Sequence, residues 1–156
     1  MTSESPPLVS CIMPTCDRRV FVPRAIAYFQ RQDYPNKELI VVDDGADSIA
    51  DLIPAGDERV RYVRLAKRTT VGGKRNLACE KSESPLIAHW DDDDWHAPRR
   101  LRYQVEQLLK SQASICGLKT LLFLDTRDGR AWQYNYPDGQ RGWLSGNSLL
   151  YTREFW

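Results

Sequence analysis

The chain has 156 residues, enough for about one domain with a core of its own. Its 22 basic and 21 acidic residues leave a formal net charge of +1, and the basic ones are scattered, which argues against a nucleic-acid stripe or a polybasic membrane patch. No segment approaches the roughly 20 apolar residues of a membrane span, and the N-terminal "MTSESPPLVSCIMP" lacks the charged start and long apolar run of a signal peptide, so the chain reads as cytoplasmic.

"LVSCIMP" (residues 8–14) is an apolar run closed by proline, and "ELIVVDDG" (38–45) is a second, closed by two acids and a glycine; both read as buried parallel strands. Between them, "VFVPRAIAYFQRQDYP" carries apolar Ile26, Tyr28 and Phe29 and sets Pro23 where a first helical turn tolerates it, so it reads as a crossover helix. The unit then repeats, with "RVRYVRL" (59–65) as a strand, "GGKRNLACEKS" as a short helix entered through glycines, and "PLIAHWD" as the next strand. This alternation predicts an α/β fold with an open, mostly parallel sheet and helices on both faces. "APRRLRYQVEQLLKSQ" follows, with Leu101, Val105, Leu108 and Leu109 on one helical face behind Pro98. From residue 113 two strand-like runs flank Asp128-Gly129, a second turn falls at Asp138-Gly139, and an antiparallel hairpin followed by a returning strand is expected before a helix start in "TREFW". Cys11, Cys16, Cys79 and Cys116 show no CxxC spacing and read as reduced core thiols.

In an open α/β sheet, ligands bind beyond the carboxyl ends of the strands. Three polar signals fall there: "PTCD", Asp43-Asp44, and residues 91–94 of "AHWDDDDWHAP". Taken singly, Asp43-Asp44-Gly45 suits a strand end and helix cap, and the aspartate run suits the first turn of a helix. Their convergence at one mouth favours a ligand instead. Alternate carboxylates such as Asp91 and Asp93 can hold a hard cation, Mg²⁺ or Mn²⁺, and leave its remaining positions to water and phosphate. A diphosphate is the natural other ligand. "TTVGGKRNLA" (69–78) sets Lys74, Arg75 and Asn76 at a helix start, where free N–H groups attract anions. A calcium loop fails on Trp95 and His96, and neither a dinucleotide fingerprint nor a P-loop is present.

The ordered set "VSCIMPTCDR", "ELIVVDDG" and "LIAHWDDDDWHAPRRL" resembles the nucleotide-sugar-binding half of the GT-A glycosyltransferases, in particular glycosyltransferase family 2. The later "GWLSGNSLLYTREFW" is similar to the family's stretch flanking the acceptor site. The resemblance implies a GT-A fold with residues 1–156 as a single nucleotide-sugar-binding domain, short of the C-terminal acceptor segment. It places the nucleobase near Pro14, Thr15 and Asp17, with Asp44 contacting the base and Lys74, Arg75 and Asn76 beside it. Asp91, Asp92 and Asp93 stand in the place of the family's D-x-D. There Asp93 is the implied metal ligand, with Asp91 as a second, and Asp91 or Asp92 faces ribose and sugar. Asp94 matches the acid that often follows that motif. The implied activity is metal-dependent, inverting transfer from a nucleoside-diphosphate sugar, a UDP-sugar foremost, to an acceptor hydroxyl on a saccharide, lipid or protein.

The carboxylate base that such a transfer requires is not identified, because Leu144-Ser145-Gly146 stands where some relatives carry an aspartate and others use acids farther on than Trp156. Asp138 is the candidate within the chain, although turn chemistry explains it better. No histidine follows His96 to act as a late metal ligand, and His89 alternates into a strand as a core or network residue. Trp132, Tyr134, Tyr136 and Trp143 suit either stacking on a sugar or packing within the hairpin. Two other readings stand beside this one: a donor-binding or interaction module without transfer, and a sugar nucleotidyltransferase. The latter wants a glycine- and basic-rich loop after the first strand, which "PTCDRR" does not supply. Apolar surface left by a missing C-terminal segment would favour a homodimer, and membrane contact is expected only through an acceptor or partner.

Overall fold

The computed structural model describes residues 5–136, 139 and 142–156. Four strands form the parallel part of a six-stranded sheet: β1 (Val9–Thr15), β2 (Lys37–Asp43), β3 (Val60–Arg64) and β4 (Leu86–His89). They stand in the order β3-β2-β1-β4, and β8 (Leu150–Thr152) then runs antiparallel between β4 and the two-residue β5 (Ile115–Cys116). The expected returning strand is therefore β8. The sequence reading had no β5, since two residues carry no periodicity.

β1 shows why the sheet needs cover on both sides, because alternate residues along a strand point to opposite faces. Val9, Cys11 and Met13 join one apolar cluster, and Ile12 joins the other. The first cluster is closed by α1 (Val22–Gln30) and α3 (Arg100–Ser111), the second by α2 (Val71–Lys81) through Ala78 and Cys79. α1 buries Val22, Ala25, Ile26 and Phe29, the spacing of one helical face, and holds a proline in its first turn. α2 starts at Thr70, whose hydroxyl accepts the Gly73 amide at 3.0 Å.

α3 corrects one expected position. It buries Leu101, Val105 and Leu108, but Leu109 is 57% exposed and the fourth inward residue is Gln104. The amide of Gln104 is tied at both ends: Nε2 donates to the Ser148 carbonyl at 2.7 Å, and Oε1 accepts from Arg100 at 3.0 Å. A buried amide so satisfied costs little.

The Asp128-Gly129 turn joins β6 (Thr120–Leu124) and β7 (Ala131–Asn135) as an antiparallel hairpin, a separate two-stranded sheet. Gly129 takes a positive φ of 74° there, which glycine adopts without strain. On this hairpin Trp132 stacks on Phe123, and Tyr136 stacks on Trp143 with Tyr134 at the edge of the same indole. The expected turn at Asp138 lies outside the described residues. The chain ends in a 3₁₀ turn over Arg153–Phe155. Among the described residues no helix is long and apolar enough to cross a membrane, and Cys11, Cys16, Cys79 and Cys116 are free, with Cys11 and Cys79 buried and Cys16 and Cys116 half-buried.

Candidate functional site

The carboxyl ends of β1, β2 and β4 come together at one edge of the sheet, and α2 points its N-terminal turn at the same place. Lys74, the fourth residue of α2, is buried and ties three elements together. Its ammonium donates to the Thr15 carbonyl at 2.8 Å and to Asp44 Oδ1 at 2.5 Å. Asp44 Oδ2 accepts the Thr69 amide at 2.8 Å. Burial works to raise the Asp44 pKa, but the bonds from Lys74 and Thr69 outweigh it and bring the value down to about 2. Its neighbour Asp43 has a different task. That carboxylate accepts from the Gly45 amide at 2.8 Å, the Tyr62 hydroxyl at 2.8 Å and Arg64 at 2.5 Å, so it holds the loop after β2.

Asp17 follows β1 with a left-handed φ of 55°. Its Oδ1 accepts the Ala46 amide at 2.5 Å and its Oδ2 pairs with Arg68, so it clasps the loops after β2 and β3. The bond from the Ala46 amide holds its carboxyl below the usual range, with the Arg68 charge adding to it. Gly45 lies in this clasp. A Cβ there would stand 2.6 Å from the Asp17 amide nitrogen and 2.8 Å from Asp17 Oδ1, closer than real contacts allow. Gly45→Ala is therefore expected to spread the two loops and lower the melting temperature by several degrees. A thermal melt checks this, and an unchanged melting temperature would show that the clasp accommodates the extra methyl group. A cavity of about 520 Å³ opens beside it, lined by Asp44, Gly45, Ala46, Arg64 and Arg68 among others.

The aspartate run leaves β4 with its four carboxylates spread over Arg75, Thr15, Arg18 and Asn147, and Asp92 and Asp93 share Arg18. Asp91 pairs with Arg75 of α2 at 2.7 Å. Asp92 is buried; it accepts the Thr15 hydroxyl at 2.7 Å and lies 3.0 Å from Arg18 Nε, and its burial raises its pKa. Asp93 pairs with the Nη2 of Arg18. Asp94 accepts from Asn147 at 2.5 Å, and Asn147 in turn accepts from the Ser145 hydroxyl at 2.5 Å. Burial raises the Asp94 pKa too. Beyond Asp94 a cavity of about 710 Å³ lies between the start of α3 and the hairpin, with Trp95, Arg99, Tyr103, Leu122, Gln133 and Asn147 in its wall.

Behind the run, His89 donates from Nδ1 to the Gly146 carbonyl at 2.5 Å and faces the Tyr151 ring edge-on. Burial, with the Arg75 charge next, lowers its pKa to about 4, so it is neutral at pH 7. It is a network residue, as its alternation in the strand suggested. Arg100 crosses beneath: it donates to His96 Nδ1 at 2.8 Å and to the His89 carbonyl at 2.8 Å, and it lies over the Trp90 ring.

The structure thus brings together Thr15, Asp17, Asp44, Lys74, Arg75, Asp91, Asp92 and Asp93, with Pro14 half-buried near the end of β1 before them. Asn76 is not among them, because its carboxamide accepts from the Trp156 indole at 3.3 Å. Sequence reasoning missed Arg18, Arg68 and Asn147. Only spatial proximity reveals them: Arg18 follows Asp17 in the chain and reads as half of a solvated surface pair, while Arg68 and Asn147 stand far in sequence from Asp17 and Asp94, the carboxylates they meet.

Among the described residues no group of three or more histidine, cysteine, aspartate or glutamate side chains is placed to hold a metal ion by itself. Asp91 and Asp93 offer hard oxygens, with side chains 28% and 44% exposed. Such a donor set fits a cation that takes one or two carboxylates and fills its remaining positions with water and phosphate oxygens.

With this geometry in place, likeness to known proteins is informative. The model of Glycosyl transferase family 2 matches residues 10–155. An uncharacterized glycosyltransferase of Haemophilus influenzae is 30% identical over 109 residues, covering 67% of this chain and 44% of that protein. The UDP-Glc:alpha-D-GlcNAc-diphosphoundecaprenol beta-1,3-glucosyltransferase WfgD of Escherichia coli is 28% identical over 109 residues, covering 69% and 43%. The chain therefore spans less than half the length of these relatives. Among solved structures, Staphylococcus aureus TarS 1-349 in complex with UDP-GlcNAc superposes with a TM-score of 0.73 at 17% identity over 94% of this chain and 45% of that one. The mannosyltransferase PcManGT from Pyrobaculum calidifontis, in complex with GDP-Man and Mn²⁺, gives 0.66 at 21% identity over 78% and 37%. These structures share the GT-A fold.

Proposed function

The chain belongs to glycosyl transferase family 2, and on that premise we propose that it binds a nucleoside-diphosphate sugar at the mouth formed by β1, β2 and β4 and transfers the sugar to an acceptor hydroxyl. The observation that carries this reading is the meeting of Asp17, Asp44, Arg75 and residues 91–93 at one sheet edge from four separate segments. The nucleobase belongs in the cavity beside Asp44 and Gly45, and the diphosphate between Arg75 and the aspartate run. UDP is the carrier we favour, a choice supported by the relative named for UDP-Glc and the fold neighbour complexed with UDP-GlcNAc.

Asp93, with Asp91, would hold a divalent cation, Mn²⁺ or Mg²⁺; when bound, it neutralises charge developing on the leaving diphosphate. The chain's own residues do the rest. Thr15 fixes Asp92, Lys74 locks the β1 and β2 ends together, and the cluster holds the donor so that one face of the anomeric carbon stays open. Attack on that face in a single displacement inverts the configuration. The acceptor enters through the cavity beside Asp94, with Trp95 and Tyr103 as apolar surface against a sugar ring.

The test is release of nucleoside diphosphate from a panel of UDP- and GDP-sugars, with and without Mn²⁺. The proposal expects metal-dependent release for one donor, accelerated by its acceptor. Donor binding without release or transfer would reassign the chain to a donor-binding module.

A further inference from the structure

Arg18 is absent from every role described so far except as a partner of two carboxylates, and its geometry is unusual for a structural pair. One guanidinium faces both Asp92 and Asp93, with Nη2 bonded to Asp93 and Nε 3.0 Å from Asp92 Oδ1. That Nε is buried and lacks the alignment of a hydrogen bond, so the hold on Asp92 is a charge attraction. The backbone at this position is anchored, since the Arg18 carbonyl accepts the Phe21 amide at 2.9 Å, and the guanidinium also lies over the Phe21 ring at 4.8 Å. The side chain itself is 40% exposed.

These contacts put Arg18 in competition with the cation assigned to Asp93. A guanidinium bonded to the same carboxylate that a divalent ion would take meets strong repulsion at a few ångströms' separation. It must then leave. The diphosphate arriving with the ion is the nearest new anion, and a planar fork of N–H donors matches phosphate oxygens in pairs. Resting on the donor reading above, we infer that Arg18 is a donor-binding residue that exchanges partners: it neutralises Asp92 and Asp93 in the empty site and turns to the diphosphate when a cation takes Asp93.

The prediction has two parts of opposite sign, which a merely structural residue would not produce. In calorimetric titrations of Arg18→Gln, Mn²⁺ alone is expected to bind about fivefold tighter than to the wild type, because its competitor is gone. With Mn²⁺ saturating, whichever of UDP and GDP binds the wild type is expected to bind the variant about tenfold more weakly, the loss of one bidentate contact. Arg18→Lys keeps the charge and loses the fork, so it is expected to leave Mn²⁺ affinity near wild type and still weaken the nucleotide. Losses in both titrations, or an unchanged Mn²⁺ affinity in Arg18→Gln beside normal metal-dependent nucleotide binding by the wild type, overturn the exchange and leave the donor reading standing. Absence of any metal-dependent nucleotide binding by the wild type overturns both.

Discussion

Asp93→Ala is expected to abolish metal-dependent nucleotide binding and to lower sugar transfer by about 10³-fold, the scale of the several kcal/mol a metal supplies to a developing diphosphate charge. Its fold should survive, because Asp93 is 44% exposed and pairs with the half-exposed Arg18. Asp92→Ala makes the contrast. Asp92 is buried and bonded to Thr15, so its removal leaves the β1 end without its tie to the aspartate run and is expected to lower the melting temperature as well as binding. Calorimetry and a thermal melt on both variants separate the two roles. If Asp93→Ala bound nucleotide with Mn²⁺ as the wild type does, the cation would have to sit elsewhere.

The second large effect concerns stability. Lys74 and Asp44 are buried and hydrogen-bonded to each other, and Lys74→Met leaves the Asp44 carboxylate without its counter-charge. Removing one partner of a buried pair costs roughly 3–5 kcal/mol, and for a chain of this size that corresponds to a melting temperature lower by about 10 °C. The pair also sets an acid limit. Asp44 has a folded pKa of about 2, below its unfolded value, so its contribution is complete above about pH 4 and is lost as pH falls through the folded value. The acid-induced drop of the wild type between those values should shrink in Lys74→Met, because the bond that depressed the Asp44 pKa is gone. A variant that melts as the wild type does at neutral pH would mean the site's scaffold does not depend on this lysine.

Strands β1, β2 and β4 were legible in the sequence because each is an apolar run stopped abruptly by acids, glycine or proline, the pattern of a strand buried on both faces, whereas the edge strand β3 alternates apolar residues with the exposed Arg61 and Arg64. The convergence of "PTCD", Asp44 and the aspartate run was legible for the same reason: strand ends in an open sheet share a mouth. Leu109 and Gln104 were not, since helical spacing selects the inward stripe without saying how wide it is, and a glutamine with both ends bonded can replace a leucine in it. Asp43 and Asp44 look alike in sequence, yet one holds the loop through Arg64 and Tyr62 and the other is locked to Lys74. Their difference is which way each side chain leaves the strand. The arginines that neutralise the run come from the β1 loop and from α2, and no local pattern in the sequence pairs them with it.

The most direct test of the donor site is a crystal of the chain soaked with Mn²⁺ and UDP, with the manganese located by its anomalous scattering. The account predicts a single strong peak at coordination distance from Asp93, bridged to the diphosphate, with uracil in the cavity beside Asp44 and Gly45. Manganese or nucleotide bound away from the ends of β1, β2 and β4 would contradict it.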